Sequence, residues 1–587
     1  MAGLSRRSFL KRAGTTAVVA AGAVGAADLV AANPSEAVVT GNIDGIVHDA
    51  GGQVFDITQY GAIADAVRAT GGSVSTSSTT FTTSSSTFSA GDVNKLITIQ
   101  GAGSGGQAFG TTISAVASAT QVTLAASVPT GVTGAAFSFG TDNTPMILTA
   151  STAAGTAVYS TGRLFAPAGV YMFSGGANSS KQILFSSRGG LFGAGGRAGL
   201  GSDAASTVFL CGDASAGLLP NASATYEGFL VDGNNVATAP LQNGVLTGGL
   251  ATSGGSYGTF VDVWVTGSAA NGWGIFGSQN NSYLDCGSTS NAQDGLYIDG
   301  GAGGHDFWNF YEARNRRYGV HGDTAYTAVG GYITFTGDVR FFGGCLDTPS
   351  GAPQGVSKVY LRGCQDWRFL EMAILGTNLS GPTVDLSQGT LYAYGQYFRN
   401  CWISSTTTGG SPGRACIQIA DGAGQSNAYT FVKTDGTYFA GGDTSVYVTA
   451  TGNYRYSAVR WIYDGTTNGP LSGGSAPPID VILGGRTGAW QTAALASPWS
   501  GSVSYRVDAD GRIQLRGSAS GGTSGSTLFT LSSGYRPTST TLQIPAARSG
   551  GGLAFLSVNT SGAVQVTQVG SGSLGTVTAD GVCFPVA

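Results

Sequence analysis

The sequence predicts an all-β chain whose main body is a parallel β-helix, and three observations carry that expectation. Gly accounts for 97 of the 587 residues without the three-residue period of collagen, and short β-branched and aromatic runs lie between the glycines. From about residue 205, two markers repeat in step. Phe260-Val261-Asp262-Val263 returns as Tyr283-Leu284-Asp285-Cys286 and as Trp308-Asn309-Phe310, while Asn271-Gly272-Trp273-Gly274-Ile275 returns as Asp294-Gly295-Leu296-Tyr297-Ile298 and as Tyr318-Gly319-Val320-His321, each time after 23 or 24 residues. Two short strands per period that advance together mark a coil stacking on itself. Lastly, Phe310, Phe341, Phe369 and Phe398 recur every 28–31 residues, which predicts an inward aromatic ladder with rungs ~4.8 Å apart, extended backwards by Cys286 and Val263. The same alternation sends Asp262, Asp285, Asn309, Arg340 and Arg368 outward as a polar ladder.

Taken in order, the chain opens on Ser5-Arg6-Arg7-Ser8-Phe9-Leu10-Lys11-Arg12, then a Gly/Ala/Val run from Ala13 to Ala27. This resembles a twin-arginine export signal, and the run is too short and Ala-rich for a retained membrane span. Residues 1–32 are therefore expected to be a leader, cleaved after Ala32 or Ala37. The resemblance implies a bacterial protein, the twin-arginine translocase as a partner during export, and a secreted or cell-surface destination. Val54-Phe55-Asp56-Ile57-Thr58-Gln59-Tyr60-Gly61-Ala62-Ile63-Ala64-Asp65 is similar to the opening of pectate-lyase-superfamily β-helices. The match breaks after Asp65 and resumes at Gly140–Thr144 and Gly162–Tyr171, with Ala64, Ala66 and Asn143 where that family has Gly, Gly and Asp. Residues 68–139, Ser/Thr-rich with alternating strands, are expected to be an inserted small β domain like that of tail-spike-like members. The coil is expected over 33–67 and 140–475. After Pro477-Pro478, residues 480–587 resemble the C-terminal domain of phage tail-fibre and tail-spike proteins. The resemblance as a whole implies a right-handed, single-stranded parallel β-helix with a C-terminal β-sandwich-like domain. A homotrimer is expected from that terminus and from outward Tyr311, Phe342 and Leu370.

Composition narrows the chemistry. With 28 basic and 32 acidic residues and a formal net charge of −4, the chain lacks the basic stripe that binding nucleic acid would need. Cys211, Cys286, Cys345, Cys364, Cys401, Cys416 and Cys583 show no C-x-x-C spacing and are expected mostly as buried small hydrophobes rather than a metal or redox site. No nucleophile elbow, zinc helix, P-loop or dinucleotide fingerprint occurs, so no cofactor or metal is expected. The polygalacturonase motifs are missing from the matching rungs, although Gly304-His305-Asp306 and Val320-His321-Gly322 echo one of them.

Charge is concentrated at residues 305–323, which hold His305, Asp306, Glu312, Arg314, Arg316, Arg317, His321 and Asp323. On one rung and its neighbour, such residues could turn acid, base and cation toward one groove. Glu312 and Glu371 each follow a ladder Phe, two rungs or ~10 Å apart, near the ~6.5–9.5 Å carboxyl separation of an inverting glycosidase. They form the first catalytic candidate pair, followed by His305, Asp306, His321 and Asp323. Strict alternation from Phe310 nevertheless points Glu312 inward unless the strand bends. Arg314, Arg316, Arg317, Arg340 and Arg368 are the candidate substrate-binding cations. Tyr311 and Trp367 are candidate faces for stacking sugar rings. The expectation is a secreted polysaccharide-processing enzyme, a glycoside hydrolase or polysaccharide lyase, holding a long glycan along the coil. The alternative is a non-catalytic, trimeric glycan-binding spike.

Overall fold

The computed structural model describes residues 53–585 except for several segments, the longest of them 325–335, 406–414, 421–431 and 449–456. The expected leader and Pro477-Pro478 lie outside the described residues. Val54–Asp56 pairs in parallel with Arg163–Phe165, which pairs in turn with Gly190–Phe192, and the stack continues into one parallel sheet of 18 strands. A second parallel sheet of 11 strands accompanies it. The chain is a parallel β-helix.

At the coil's start, Asn143 explains the departure from the family pattern. It is fully buried; its amide donates to the carbonyls of Ile63, Thr141 and Met172, each at 3.0 Å, and its Oδ1 accepts from the Ile63 N–H at 2.7 Å. An ionised Asp has no donor to offer those carbonyls. The helix Thr144–Thr156 lays Ile147, Ala150 and Ala154 against Phe55 and Leu164, covering the first rung. Between the two parts of this cap, strands from Val67 to Gly140 close into a six-stranded antiparallel barrel around Phe81, Phe88, Phe137 and Phe139. Thr98 and Gln100 of the barrel donate to the Gly212 and Asn234 carbonyls of the coil, both at 2.9 Å. At the other end, Gln491–Pro585 forms a nine-stranded antiparallel sheet with its own core, including Trp499, Ile513, Phe529 and Phe584.

Inside the coil, Tyr226, Phe260, Tyr283, Phe307, Phe341, Phe369 and Phe398 stack with successive centroids 4.3–5.1 Å apart. The expected aromatic ladder exists, but with a different member: the hydrogen-bonded register sets Phe307, not Phe310, against Phe341. Phe310 faces Gly344 and belongs to the column of Val263 and Cys286. Five of the seven cysteines are buried, as expected of small hydrophobes.

The rungs turn at single residues in the left-handed region. The middle column of these bends contains Gly228, Asp262, Asp285, Asn309, Gly343, Glu371, Asn400 and Gly436, all with φ between 50° and 68°. A preceding column contains Tyr257, Asn280, Gly304, Asp338 and Asp366, and a following one Gly267, Ser290 and Arg314. Gly, Asn and Asp enter this region most readily, which accounts for the Gly- and Asx-rich repeats.

Candidate functional site

The middle column of bends forms the floor of the candidate site. Each of its residues follows a register-paired strand position (Glu227, Val261, Leu284, Trp308, Phe342, Leu370, Arg399, Asp435), so its members stand one rung, ~4.8 Å, apart. On one side runs the outward column Trp264, Gly287, Tyr311, Cys345, Ala373, Trp402 and Tyr438. Between the two lies a cleft of about 400 Å³ whose lining includes Asp262, Asp285, Asn309, Gly343, Glu371 and Tyr311. A second cleft of about 410 Å³ continues the line at Asn400, Trp402, Gly436 and Tyr438.

Several side chains are held in place here. Asp262 accepts from the Gly196 and Arg197 N–H groups at 2.8 and 3.0 Å and from the Trp264 indole at 3.0 Å. Asn309 donates to Asp285 at 2.6 Å. The Arg197 guanidinium lies over the rings of Trp264 and Tyr311, 5.4 and 5.9 Å from their centroids. Trp402, 52% exposed, meets Tyr438 edge-on. Burial and the nearby Asp347 raise the Cys345 thiol to about 11, so it stays protonated at neutral pH.

On the other side of the bends, Leu284, Trp308, Phe342 and Leu370 form an outward apolar column, where Trp308 and Phe342 stack face to face at 4.1 Å. Their faces cover each other, so ring edges point outward. Tyr311 belongs instead to the cleft column.

The residues clustered at 305–323 are dispersed to three places. His305 is fully buried, its Nδ1 accepting from the Asn281 N–H at 3.4 Å, and burial drives its pKa down to about 3. It is a neutral core residue, not an acid–base group facing solvent. Glu312 also lies inside, because alternation holds and the strand does not bend first. Lys358 Nζ donates to its two oxygens at 2.9 and 3.2 Å, with Asn315 donating at 2.7 Å. Glu312 and Glu371 are thus on different columns, one inside the coil and one at an outer bend, and do not face one groove as a pair. Asp306 faces out on the first sheet, 2.8 Å from Arg340. Arg340 and Arg368 share the column of Asp306 rather than that of Asn309, and Arg368 is held by Asp366.

The remainder sits on the outer face of the second sheet. His321 Nδ1 is 2.7 Å from Asp294, which also binds Arg317, and Asp323 is clamped by Arg362. Burial raises the Asp294 pKa, but the bonds from His321 and Arg317 outweigh it and hold the carboxyl below the usual range. Tyr297, Tyr318 and Tyr360 pack around the imidazole. Arg314 and Arg316 are exposed at the following bend. Trp367 is fully buried, so it offers no face to a ligand. Only Glu371 and Tyr311 of the expected site residues line the cleft. Arg197 was not singled out in the sequence, and Asp262, Asp285 and Asn309 were recognised only as a surface ladder.

No family model matches the chain, and no curated protein does. Solved structures that resemble it include the A-module of the Azotobacter vinelandii mannuronan C-5 epimerase AlgE4, at TM-score 0.40 and 16% identity over 59% of this chain and 96% of that one. The Dettilon tailspike protein gp208 matches at TM-score 0.42 and 12% identity over 76% and 88% of the two chains. The catalytic domain of a GH87 α-1,3-glucanase matches at TM-score 0.35 and 11% identity over 72% and 86%. No helix among the described residues is long and apolar enough to cross a membrane.

Proposed function

We propose that the chain is a polysaccharide-processing enzyme that holds an extended glycan along the middle column of bends and hydrolyses it with Asp285 and Glu371. The supporting observation is the in-register floor of carboxylates and amides beside aromatic rings, a linear array suited to hydroxyl-bearing rings in a linear polymer. Asp285 and Glu371 are three rungs apart, ~14 Å between backbones. For this chemistry the two side chains reach toward each other across Asn309 and Gly343, to the ~6.5–9.5 Å at which a water fits between two carboxyls. Glu371 donates its proton to the glycosidic oxygen as the C–O bond breaks. Asp285, oriented by Asn309, takes a proton from the water whose oxygen forms the new C–O bond. Export by the twin-arginine route belongs to the same proposal.

The test is release of reducing ends, and of the ultraviolet-absorbing unsaturated uronates a lyase would form, from a panel of neutral and anionic polysaccharides. Glu371→Gln and Asp285→Asn should each lower turnover at least ~10²-fold while glycan binding is retained. Unsaturated products, or unchanged activity in both variants, would overturn the assignment. The outward apolar column favours a second reading, a glycan-binding spike assembled from copies of the chain, for which no panel member would be cleaved.

A further inference from the structure

From Asp262 to Gly436 the middle column runs Asp, Asp, Asn, Gly, Glu, Asn, Gly. Its two last-named glycine positions are not required by the backbone. Gly343 and Gly436 have φ of 66° and 61°, close to the 50–60° adopted by Asp262, Asp285, Asn309, Glu371 and Asn400 on the other rungs. Crowding does not require Gly343 either, since a Cβ placed there meets no atom within 4 Å. Yet the two clefts open at these two rungs, Gly343 in one and Gly436 in the other. Where every neighbour projects a polar side chain, a missing one lowers the floor to the main chain.

Resting on the polysaccharide reading above, we infer that the pits over Gly343 and Gly436 are the subsites where individual sugar residues settle onto the coil, and that these sugars are uncharged. The pits are three rungs, ~14 Å, apart. At the first, Asn309 and Glu371 stand on the flanking rungs as partners for hydroxyls, with Tyr311 alongside. At the second, Asn400 flanks the gap, and Trp402 and Tyr438 supply aromatic surface. The charge argument is local. Asp262, Asp285 and Glu371 line the first cleft, and its one cation among the described lining residues, Arg197, is already engaged over two rings. A polyuronate would bring a carboxylate on every sugar against that wall, whereas a neutral glycan meets acceptors for its hydroxyl groups.

Calorimetric titration of the full chain with uncharged hexasaccharides (gluco-, xylo- and manno-configured, α- and β-linked) and with hexauronates tests this. The wild type should bind at least one uncharged probe at least ~10-fold more tightly than any hexauronate. Gly343→Asn, with a residue at home in this conformation on neighbouring rungs, should weaken that binding at least ~10-fold without changing the melting temperature. Gly436→Asn should do the same at the second pit. Ala373→Trp fills the first pit from the facing strand without touching the bend, and so gives the same reading if Gly343→Asn fails to fold. Leu284→Asn, on the apolar column outside the cleft, should bind as the wild type does. Wild-type affinity in both Gly343→Asn and Ala373→Trp would refute the pits while leaving the polysaccharide reading in place. A preference for hexauronates would refute the uncharged sugar. If the wild type binds none of the probes, both readings fall together.

Discussion

Replacing Lys358 by Met removes the counter-ion of a carboxylate sealed inside the coil. The Glu312 side chain has no solvent exposure and that of Lys358 only 2%. With Met at 358, Asn315 is the remaining hydrogen-bond donor named for Glu312, and breaking a buried pair from one side typically costs ~3–5 kcal/mol. Arg163 to Leu483 spans 321 positions. At ~2.1 cal/mol/K per residue, a coil of that length unfolding together has an entropy near 0.7 kcal/mol/K, so the melting temperature should fall by about 4–7 °C at neutral pH. Burial pushes the Glu312 pKa up even with Lys358 beside it. A carboxyl whose folded pKa lies above its unfolded value binds more protons folded than unfolded in that interval. Its stabilising contribution is therefore complete below the unfolded value and is lost as pH rises through the folded one. Without Lys358 the folded value climbs further, so the deficit of Lys358→Met should shrink on acidification toward the unfolded carboxyl range. Adding Glu312→Gln, which keeps an acceptor for Asn315 but no charge, should restore most of the loss at neutral pH. Thermal melts of the three proteins by circular dichroism across this pH range are the assay. A Lys358→Met melting temperature within about 1 °C of wild type at neutral pH, or a deficit independent of pH, would refute the reasoning.

Two further outcomes follow from features away from the cleft. Asn291 accepts from the Ser268 N–H at 2.9 Å and donates to Ser288 and Asn315 at 2.9 and 2.8 Å, all buried. Asn291→Leu should therefore cost about 1–3 kcal/mol for each partner left without a bond, visible as a lower denaturation midpoint; an unchanged midpoint would mean that water replaces the amide. Light scattering should show a trimer for the mature chain and a smaller species for Trp308→Glu, which places a charge in the outward apolar column. A wild-type monomer at micromolar concentration would count against that assembly.

The coil was legible because a parallel stack repeats its own sequence: the markers at Asp262, Asp285 and Asn309 do stand in register. Register was lost at the next rung. The step from Phe307 to Phe341 is longer than the earlier periods, and counting from Phe310 shifted Arg340, Phe342 and Glu371 relative to their true neighbours. That shift alone created the Glu312 and Glu371 pair. Alternation from Phe310 had already indicated that Glu312 points inward, but its partner Lys358 lies 46 residues ahead on another sheet and carries no local signal. The dispersal of residues 305–323 has the same origin. A rung wraps around the core, so neighbours in sequence face opposite sides of the molecule, while neighbours in space come from successive turns.

Asn143 and the helix Thr144–Thr156 do more than complete the first rung. A stack of parallel strands is a template for its own continuation: an uncovered terminal rung offers a row of free N–H and C=O groups to the next molecule. Asn143 occupies the Met172 and Ile63 carbonyls, the Ala66 N–H takes that of Val170, and the helix lies across the opening. With these groups bonded and covered, that end offers another molecule little open edge to extend. A chain shortened to begin at Arg163 would lose this plug together with Val54–Asp56 and the barrel, and should self-associate through the uncovered end rather than simply melt sooner.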